Sequence, residues 1–393
     1  MSYIDIVDGE VTENAHSIQL DALADYSYNV EIVSDLFSPD NPTFAATIGN
    51  RPSLVVLSPS ISRLYGDRIA RYLSHHFPAG QCTVFTCLSG EHNKVLETAV
   101  GICAKAKECR LDRDGLFIGI GGGIVLDLVG FAASMYRRGT KFVKVATTLV
   151  GQVDVAVGVK TGVNAFRSKN ILGSYYPAFA TLNDPQFLRT LPEREMRCGM
   201  AEVIKMGLAC DPVLFEQIDQ GLALSPMGDL KSLDYDIYVR AMLRMMEELQ
   251  PNLLEAELER VVDFGHTFSM RFEIESDHRI LHGEAVAIDM ALSCCIARLL
   301  GRMSVSDCDR AVHQIQRSGL SVWDDEVCHL DNLEASIDEV QLHRKAVNLV
   351  LPSALGQSFF IKHKSELGDG VLSEALEMLL QYAISEDVLE GVE

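Results

Sequence analysis

Two histidines and one glutamate have the types and spacing that most readily suggest chemistry. His266 and His282 each adjoin a glycine in a mostly apolar stretch, and Glu202 lies three residues before Lys205 in GMAEVIKMG. A histidine among apolar residues is more often a core or surface group than a ligand. A carboxylate partner changes that balance, because two imidazoles and one carboxylate make a plausible zinc site that keeps a position open for substrate oxygens. The trio therefore predicts a catalytic metal acting as a Lewis acid.

A group of basic residues reverses the acidic balance of the chain. One stretch holds seven basic residues and a single acidic one, Asp154, although the formal net charge of the whole chain is −21. The basic residues are Arg137, Arg138, Lys141, Lys144, Lys160, Arg167 and Lys169. Unpaired charges in this glycine-interrupted apolar context would be costly to bury without a function. Lys160, Lys169 and Asn170 could supply charge-assisted donors to a phosphate ester, with Arg138 nearby.

Two glycine-containing turns point to a nucleotide. GIGGGIVLDLVGF (119–131) follows a predicted strand and opens a predicted helix, so its backbone can approach a pyrophosphate at the helix N-terminus. The pattern is not GxGxxG, and such a turn is about as often purely structural. Upstream, Glu91 and Lys94 follow a short strand, where a carboxylate could accept hydrogen bonds from ribose hydroxyls. A solvated loop is the alternative interpretation of that segment.

The elements around these residues predict two domains, the number that suits 393 residues. Short apolar segments alternate with helical-period stretches in the first half, which is the pattern of a parallel sheet. The segments are SLVVLS (53–58), CTVFTC (82–87), LFIGIGGG (116–123) and FVKVATTL (142–149). The second half shows helix-length periodicity. We therefore predict a Rossmann-like α/β domain over residues 1–184 and a mainly helical domain over 185–393, with the boundary in DPQFLRTLP.

Composition excludes several classes of protein. No apolar run is long enough to span a bilayer, and the acidic first thirty residues do not resemble a secretory signal, so a cytoplasmic location is expected. The net charge argues against nucleic acid and membrane surfaces as partners. Ten cysteines without a CxxC pair are expected to be reduced. A small anionic ligand at the basic stretch is therefore the expected partner.

Taken together and in order, the motifs resemble the sugar phosphate cyclases, the superfamily of 3-dehydroquinate synthase. The resemblance runs from about residue 54 to residue 360. The motifs are GE..K (90–94), GGG...D..GF (121–131), RRG (137–139), TTL...VD...G.K..VN (147–164), KNILGSYYP (169–177), G.AE..K (199–205), FGHTF (264–268) and HGEAVA (282–287).

This resemblance implies a fold and a reaction. An NAD-binding α/β domain precedes a helical metal-binding domain, and the protein is a homodimer with its active site between domains. NAD oxidises a secondary alcohol of a sugar phosphate, phosphate leaves, the ketone is reduced again, and the opened sugar closes by intramolecular aldol addition. The metal is zinc, or alternatively cobalt. NAD is recycled within each turnover, while the metal and the cationic side chains stabilise developing charge.

The resemblance also assigns residues to roles. The metal ligands are Glu202, His266 and His282. Residues matching cofactor contacts are Glu91, Lys94, Gly122, Gly123, Asp127, Thr147 and Thr148. Residues matching the substrate pocket are Asp154, Lys160, Asn170 and Lys205, and Lys169 and Asp263 are further catalytic candidates. Arg138 matches an arginine that reaches the phosphate from the neighbouring subunit.

Two departures from the family pattern bear on the substrate. Dehydroquinate synthases usually read LNFGHTFGH, whereas this chain has Asp263 and Met270 at the asparagine and the last histidine. Aspartate repels an anion, and methionine donates no hydrogen bond to one. The pocket for a substrate carboxylate is therefore expected to be dismantled, which favours the branch that cyclises sedoheptulose 7-phosphate to valiolone-type cyclitols. Its best-known members make 2-epi-5-epi-valiolone.

Other departures affect anion and cofactor contacts. Two cationic positions of the carboxylate pocket fall on Met245 and Glu259, although a gap could realign Arg244 and Arg260 to them. Ser58 and Ser60 replace an acidic residue and an asparagine that touch the cofactor in relatives. The late phosphate contact falls on Arg344 or Lys345.

Alternative functions remain at this point. Within the superfamily, the product could be the epimer 2-epi-valiolone, or the enzyme could be a desmethyl-4-deoxygadusol synthase or a 3-dehydroquinate synthase. A metal-dependent polyol dehydrogenase would share the cofactor turn and the metal domain but needs no phosphate site. A noncatalytic sugar-phosphate or nucleotide binding protein would have no reason to keep the ligand trio and Lys205.

Overall fold

The chain folds into two compact units. The computed structural model describes residues 5–14, 17–166, 168–225, 229–344 and 346–390. The first unit takes its described residues from 1–147 and 155–187, and the second from 148–154 and 188–393. The α/β and helical classes predicted for the two halves are confirmed. The single boundary at 184/185 differs from this division, because residues 148–154 leave the first unit and pack with the second.

A close contact between Gly199 and Leu149 lets residues 148–154 pack with the second unit. Leu149 is fully buried, and a Cβ added to Gly199 would lie 2.3 Å from the Cβ of Leu149. Segment 148–154 can thus lie against the helix that carries Glu202 only because residue 199 has no side chain. Sequence periodicity carries no signal for such a packing contact.

The first unit is built on a six-stranded parallel sheet. The described strands of the first unit, including those outside this sheet, are β1 (Asp5–Asn14), β2 (Ser17–Asp25), β3 (Val30–Ile32), β4 (Ser53–Leu57), β5 (Cys82–Thr86), β6 (Leu116–Gly121), β7 (Phe142–Ala146), β8 (Lys160–Ala165), β9 (Ser168–Tyr175) and β10 (Ala180–Asn183). Its helices are α1 (Thr43–Ile48), α2 (Pro59–His76), α3 (Leu96–Glu108) and α4 (Gly123–Met135). The sheet order is β3-β10-β7-β6-β4-β5, and each neighbouring pair is parallel.

Alternate residues of the central strands fill two separate cores. Val55, Ile118 and Val143 face one core with residues of α1 and α2, whereas Leu54 and Phe117 face another with residues of α3 and α4. A parallel sheet covered by helices on both faces is read in sequence as continuous apolar runs. This is why the predicted segments match β4, β6 and β7, which are buried throughout, and the fourth segment matches β5, a half-buried edge strand.

Three antiparallel hairpins were not predicted. They are β1–β2 and β8–β9 in the first unit, and β11 (Leu349–Ala354) with β12 (Gln357–Ile361) in the second. In β9, exposed and half-buried residues follow one another, so no apolar run marks the strand. A strand with polar residues on both faces gives periodicity analysis little to detect.

The second unit is mainly helical. Its helices are α5 (Glu193–Cys210), α6 (Pro212–Leu224), α7 (Tyr235–Leu249), α8 (Ser269–Glu275), α9 (His282–Leu299), α10 (Val305–Arg317), α11 (Leu330–Arg344) and α12 (Val371–Glu390). The central helix α9 is buried almost throughout, from Ala285 to Ala297. Arg194 of α5 donates to Glu284 of α9 at 2.6 and 2.7 Å and links the two helices that carry Glu202 and His282. Within the described part of the chain, every helix is too short or too polar to cross a membrane.

A buried aspartate at the start of α6 is expected to make stability depend on pH. Asp211 is 1% exposed, caps α6 and accepts hydrogen bonds from Arg240 at 2.6 Å and Arg244 at 2.9 Å. Burial alone would raise its pKa, but the two guanidinium groups outweigh burial and lower the pKa to about 2. The ionised carboxylate therefore stabilises the fold above its ordinary pKa, and this contribution is lost as pH falls from about 4 to about 2.

Asp211→Asn keeps a good cap and removes only the charge. We expect a loss of about 2 kcal/mol in the free energy of unfolding at pH 7, and no difference from the parent near pH 2. Denaturant unfolding across this pH range measures it. Asp338→Asn, at a 63% exposed carboxylate, is the matched control. An equal loss at both pH values would show that packing, not charge, is responsible.

Candidate active site

Three side chains of the second unit converge on one point. Glu202 Oε1 lies 3.1 Å from His282 Nε2 and 3.7 Å from His266 Nε2, and the three candidate ligand atoms all lie within 4.8 Å of one another. Ligands about 2.0–2.1 Å from a tetrahedral zinc ion are separated by roughly 3.3 Å. The spacing and the N₂O donor set therefore fit a divalent metal held by three protein ligands.

Glycines beside the two histidines make the convergence possible. Gly265 has a φ of +74°, a left-handed conformation that turns the chain immediately before His266. A Cβ on Gly283 would lie 2.2 Å from the carbonyl oxygen of Cys198. The start of α9 can therefore touch α5, and His282, the first residue of α9, reaches Glu202 in the middle of α5.

Hydrogen bonds to the other ring nitrogens set the orientation of both imidazoles. Nδ1 of His266 lies 3.0 Å from the carbonyl oxygen of Phe264, and Nδ1 of His282 lies 3.0 Å from Glu273 Oε1. Each Nδ1–H donates to its oxygen, so Nε2 is the nitrogen that each ring directs toward Glu202. Carbonyl and carboxylate partners of this kind are usual behind metal-binding histidines.

The cluster is strongly polarised. Lys205 Nζ lies 2.6 Å from Glu202 Oε2, and both residues are buried. Burial opposes ionisation of Glu202, but Lys205 and the histidines outweigh it and hold the pKa of Glu202 well below its usual value. Burial likewise opposes the charge of Lys205, but Glu202 and Asp154 keep its pKa raised. The carboxylate and the ammonium are therefore both charged.

The two histidines differ in protonation. Burial, followed by the charge of Lys205, lowers the pKa of His266. Burial acts the same way on His282, but hydrogen bonds to Glu202 and Glu273 outweigh it and raise its pKa to about 10. A metal entering the site must therefore displace a proton from Nε2 of His282, while Nε2 of His266 is available without that step.

Glu273 was missed by the sequence analysis and is expected to tune metal affinity. It is 3% exposed on α8, seven residues after His266, and as one of three acids in FEIESD it gives no indication in the sequence of a buried partner. Glu273→Gln should keep an acceptor for His282 but lose the negative charge, and Glu273→Leu should lose both. We expect metal affinity to fall by about 10-fold to 100-fold, more in the leucine variant.

Competition of the loaded protein with a chelator measures that affinity. Glu275→Gln, on the same helix but with a 44% exposed side chain paired to Arg271, is the control. Unchanged affinity in Glu273→Leu would mean that Glu273 does not support the ligand.

Other predicted substrate residues of the second unit lie near Lys205. The charges of Asp154 and Asp263 contribute to its raised pKa. The backbone oxygen of Asp263 accepts from the amide of His266 at 2.9 Å, so Asp263 begins the turn that ends at the candidate ligand His266. Thr148 also belongs to this unit, where its Oγ1 accepts from the amide of Gly151 at 3.0 Å. Met270 is 44% exposed on α8.

In the first unit, three of the residues predicted to contact the cofactor, Glu91, Lys94 and Asp127, belong to one polar network. Lys94 Nζ lies 2.6 Å from Asp127 Oδ2 and donates to Asn170 Oδ1 at 2.6 Å. Glu91 Oε1 accepts from Asn164 at 2.7 Å and lies 3.8 Å from Lys169 Nζ. The network joins the Glu91 loop, α4 and the β8–β9 hairpin.

Asn164 is the member that sequence reasoning missed. Its Oδ1 accepts from the amide of Asn170 at 2.9 Å, and its own amide donates to the carbonyl oxygen of Lys94 at 2.7 Å. The signal was present as the last residue of KTGVN, but an asparagine in a turn-rich segment is ordinary. Only the fold shows that it ties together two loops far apart in sequence.

The remaining residues of the predicted cofactor and anion sites lie at the start of α4, next to the end of β7 and at exposed positions. Gly122 is the N-cap of α4, Gly123 begins that helix, and the amide of Thr147 donates to the carbonyl oxygen of Gly121 at 3.0 Å. Lys160 is exposed at the start of β8. Arg138 is exposed with a φ of +65°.

Some residues singled out from the sequence have structural roles, and others lie outside the residues that the structure describes. Ser58 caps α2 by accepting from the amide of Ile61 at 3.2 Å, and its Oγ lies 2.9 Å from that of Ser60. Both serines thus take part in the helix start. Arg167 and Lys345 lie outside the described residues, as does the side chain of Arg344.

Comparisons with known proteins match this chain across both of its halves. Residues 84–198 match the family 3-dehydroquinate synthase N-terminal, and residues 199–345 match 3-dehydroquinate synthase C-terminal. A 2-epi-5-epi-valiolone synthase of Streptomyces glaucescens is 45% identical over 374 residues, which cover 94% of this chain and 95% of that relative.

Solved structures give the same relationship. The 2-epi-5-epi-valiolone synthase of Streptomyces hygroscopicus subsp. jinggangensis 5008, solved with NAD+ and Zn2+ bound, is 34% identical with a TM-score of 0.84, covering 92% of this chain and 99% of that one. A 2-deoxy-scyllo-inosose synthase complexed with carbaglucose-6-phosphate, NAD+ and Co2+ is 19% identical with a TM-score of 0.74, covering 94% and 99%, and shares the fold. With its sequence matched across both domains and its fold reproduced, this chain belongs to the 3-dehydroquinate synthase-like family of sugar phosphate cyclases.

Proposed function

We propose that this enzyme is a 2-epi-5-epi-valiolone synthase that cyclises sedoheptulose 7-phosphate, with NAD and zinc as cofactors, and releases inorganic phosphate. The observation that carries the proposal is the preassembled set of Glu202, His266, His282 and Lys205 in a chain 45% identical to a protein of that name. A substrate with several hydroxyls suits the metal-ligand cluster formed by Glu202, His266 and His282.

The proposed reaction is neutral in redox terms. A hydride leaves a secondary alcohol and returns to the same carbon after phosphate has departed with the C–O electron pair and the neighbouring carbon has lost a proton. Ring opening and aldol closure then make the carbocycle. When bound, NAD supplies the hydride acceptor and donor, and the metal supplies Lewis acidity toward substrate oxygens.

The side chains of the second unit have roles that follow from their charges. Lys205 holds a fixed ammonium next to the metal ligands, where it can donate to an oxygen that gains negative charge. Asp154 can accept a hydrogen bond from a substrate hydroxyl. Buried and already paired with Glu202, Lys205 needs little rearrangement as the reaction proceeds.

In the first unit, we propose that Glu91, Lys94 and Asp127 position the cofactor, with the backbone at Gly122 and Gly123 next to its pyrophosphate. Lys160, Lys169 and Asn170 are proposed to bind the substrate phosphate. We also propose a homodimer in which Arg138, exposed in the single chain, serves the neighbouring subunit.

Phosphate release and product identification test the function. The purified enzyme, loaded with NAD and zinc, is incubated with sedoheptulose 7-phosphate and separately with the seven-carbon ulosonate phosphate that 3-dehydroquinate synthases use. We expect phosphate release from the former without accumulation of NADH, and NMR of the product should show 2-epi-5-epi-valiolone. Turnover of only the ulosonate phosphate, or stoichiometric NADH, would refute the proposal.

A further inference from the structure

An arginine next to the metal-ligand turn is held in a closed ion-pair group. The two Nη2 contacts of Arg260 to the carboxylate of Asp263 measure 2.6 and 2.7 Å, and its Nε donates to the same carboxylate at 3.0 Å. Its Nη1 pairs with Glu255. All three side chains are largely buried, with exposures of 10%, 16% and 12% for Arg260, Asp263 and Glu255.

A guanidinium paired in this way has no fork, that is, no pair of parallel N–H groups, left to bind a ligand carboxylate. A planar guanidinium binds one carboxylate through two parallel hydrogen bonds, and this geometry is what makes arginine suited to recognising substrate carboxylates. Asp263 occupies that position on Arg260, and Glu255 takes the other side. An incoming carboxylate would have to displace a buried anion that is part of the chain.

The neighbouring positions do not replace the missing cation. Glu259 is directed to the surface, where it is 46% exposed and accepts from Lys362 at 2.7 Å. Met245 is a core residue at 2% exposure. Arg244 pairs with Asp211 and Glu247, away from Asp263 in the ion-pair network. Even if Arg244 and Arg260 are aligned with the two carboxylate-binding positions of the family, neither arginine is available to a substrate carboxylate, because each is already paired.

We infer that Asp263 serves as an internal carboxylate that occupies Arg260 and so makes the site select a sugar phosphate with a hydroxyl-bearing end over one with a carboxylate. This specificity role rests on the proposed function. The carboxylate oxygens of Asp263 retain lone pairs, so they can accept a hydrogen bond from a substrate hydroxyl while they hold the guanidinium.

The test compares two ligands on the enzyme loaded with NAD and zinc. The measurements are kcat/KM for sedoheptulose 7-phosphate and the inhibition constant of the ulosonate phosphate as a competitor. Asp263→Asn frees the Arg260 fork, so we expect the ulosonate phosphate to bind at least about tenfold more tightly and kcat/KM for sedoheptulose 7-phosphate to fall. In Arg260→Gln/Asp263→Asn the gain in ulosonate binding should vanish.

Two further variants keep the inference open to refutation. Glu259→Gln, at a surface carboxylate of the same segment, should change neither constant. Glu255→Gln leaves Asp263 on the arginine and should leave ulosonate binding within about twofold, which applies even if Asp263→Asn fails to fold. A tenfold gain in Glu255→Gln, no gain in folded Asp263→Asn, or a gain that persists in the double variant would overturn the inference. Failure of the parent enzyme to turn over sedoheptulose 7-phosphate would instead refute the proposed function.

Discussion

Replacing His282 with alanine is expected to remove the metal and to lower kcat/KM by about a thousandfold or more. The imidazole provides one of three candidate ligands and is fixed by Glu202 on one nitrogen and Glu273 on the other. Two remaining ligands hold a divalent ion weakly, and loss of Lewis acidity removes several kcal/mol of transition-state stabilisation. NAD affinity should be unchanged, because the residues proposed to contact the cofactor are carried by the first unit.

Metal content by elemental analysis, NAD affinity by fluorescence titration and phosphate release measure the three effects. His329→Ala, at an exposed histidine of the same unit, is the control for a general loss of imidazole. Full turnover or full metal content in His282→Ala would remove His282 from the ligand set, and loss of NAD binding together with the metal would show a general disruption of the fold.

Replacing Lys205 with methionine should give the opposite combination, with metal retained and turnover lost. The ammonium lies 2.6 Å from Glu202 Oε2 and competes with a metal for the same carboxylate. Methionine has a similar apolar length and no charge, so Glu202 becomes fully available to the metal, whose positive charge then balances it. We expect equal or tighter metal binding and a fall in kcat of about 10²-fold to 10³-fold, because a fixed cation next to the reacting oxygens is absent.

Chelator competition and steady-state kinetics on the same preparation separate the two effects. Lys231→Met replaces an exposed lysine of the second unit and is the control. If Lys205→Met lost metal and activity in parallel, Lys205 would be a support for the ligands; if it kept full activity, it would have no part in the reaction.

The sequence predicted the central sheet and much of the helical unit, because burial on both faces of a strand, or on one face of a helix, leaves a pattern in the residues themselves. Strands β4, β5, β6 and β7 follow from four apolar runs. The hairpins were not predicted for different reasons: β9 has no apolar run, whereas the buried run of β11 is too short to be told from a helix segment. The boundary was placed on turn residues, and the excursion of residues 148–154 depends on a packing contact at Gly199 that no local pattern encodes.

For the site, the sequence by itself determined which chemical groups are available and, through its motifs, the family: two imidazoles, a carboxylate and a lysine one helical turn away. Local spacing could place Lys205 beside Glu202, since residues three apart share a helix face. It could not bring together positions 202, 266 and 282, because their convergence depends on two helices touching at Gly283 and a left-handed turn at Gly265.

The tertiary structure alone decided which charges are already in use. From sequence, Arg260 was a possible anion contact and Glu273 an unremarked acid. In the folded chain Asp263 and Glu255 occupy the arginine, and Glu273 supports His282. The physical reason is that the availability of a charge depends on its neighbours and its burial, which are set by contacts between distant segments, whereas the sequence specifies only that the charge exists.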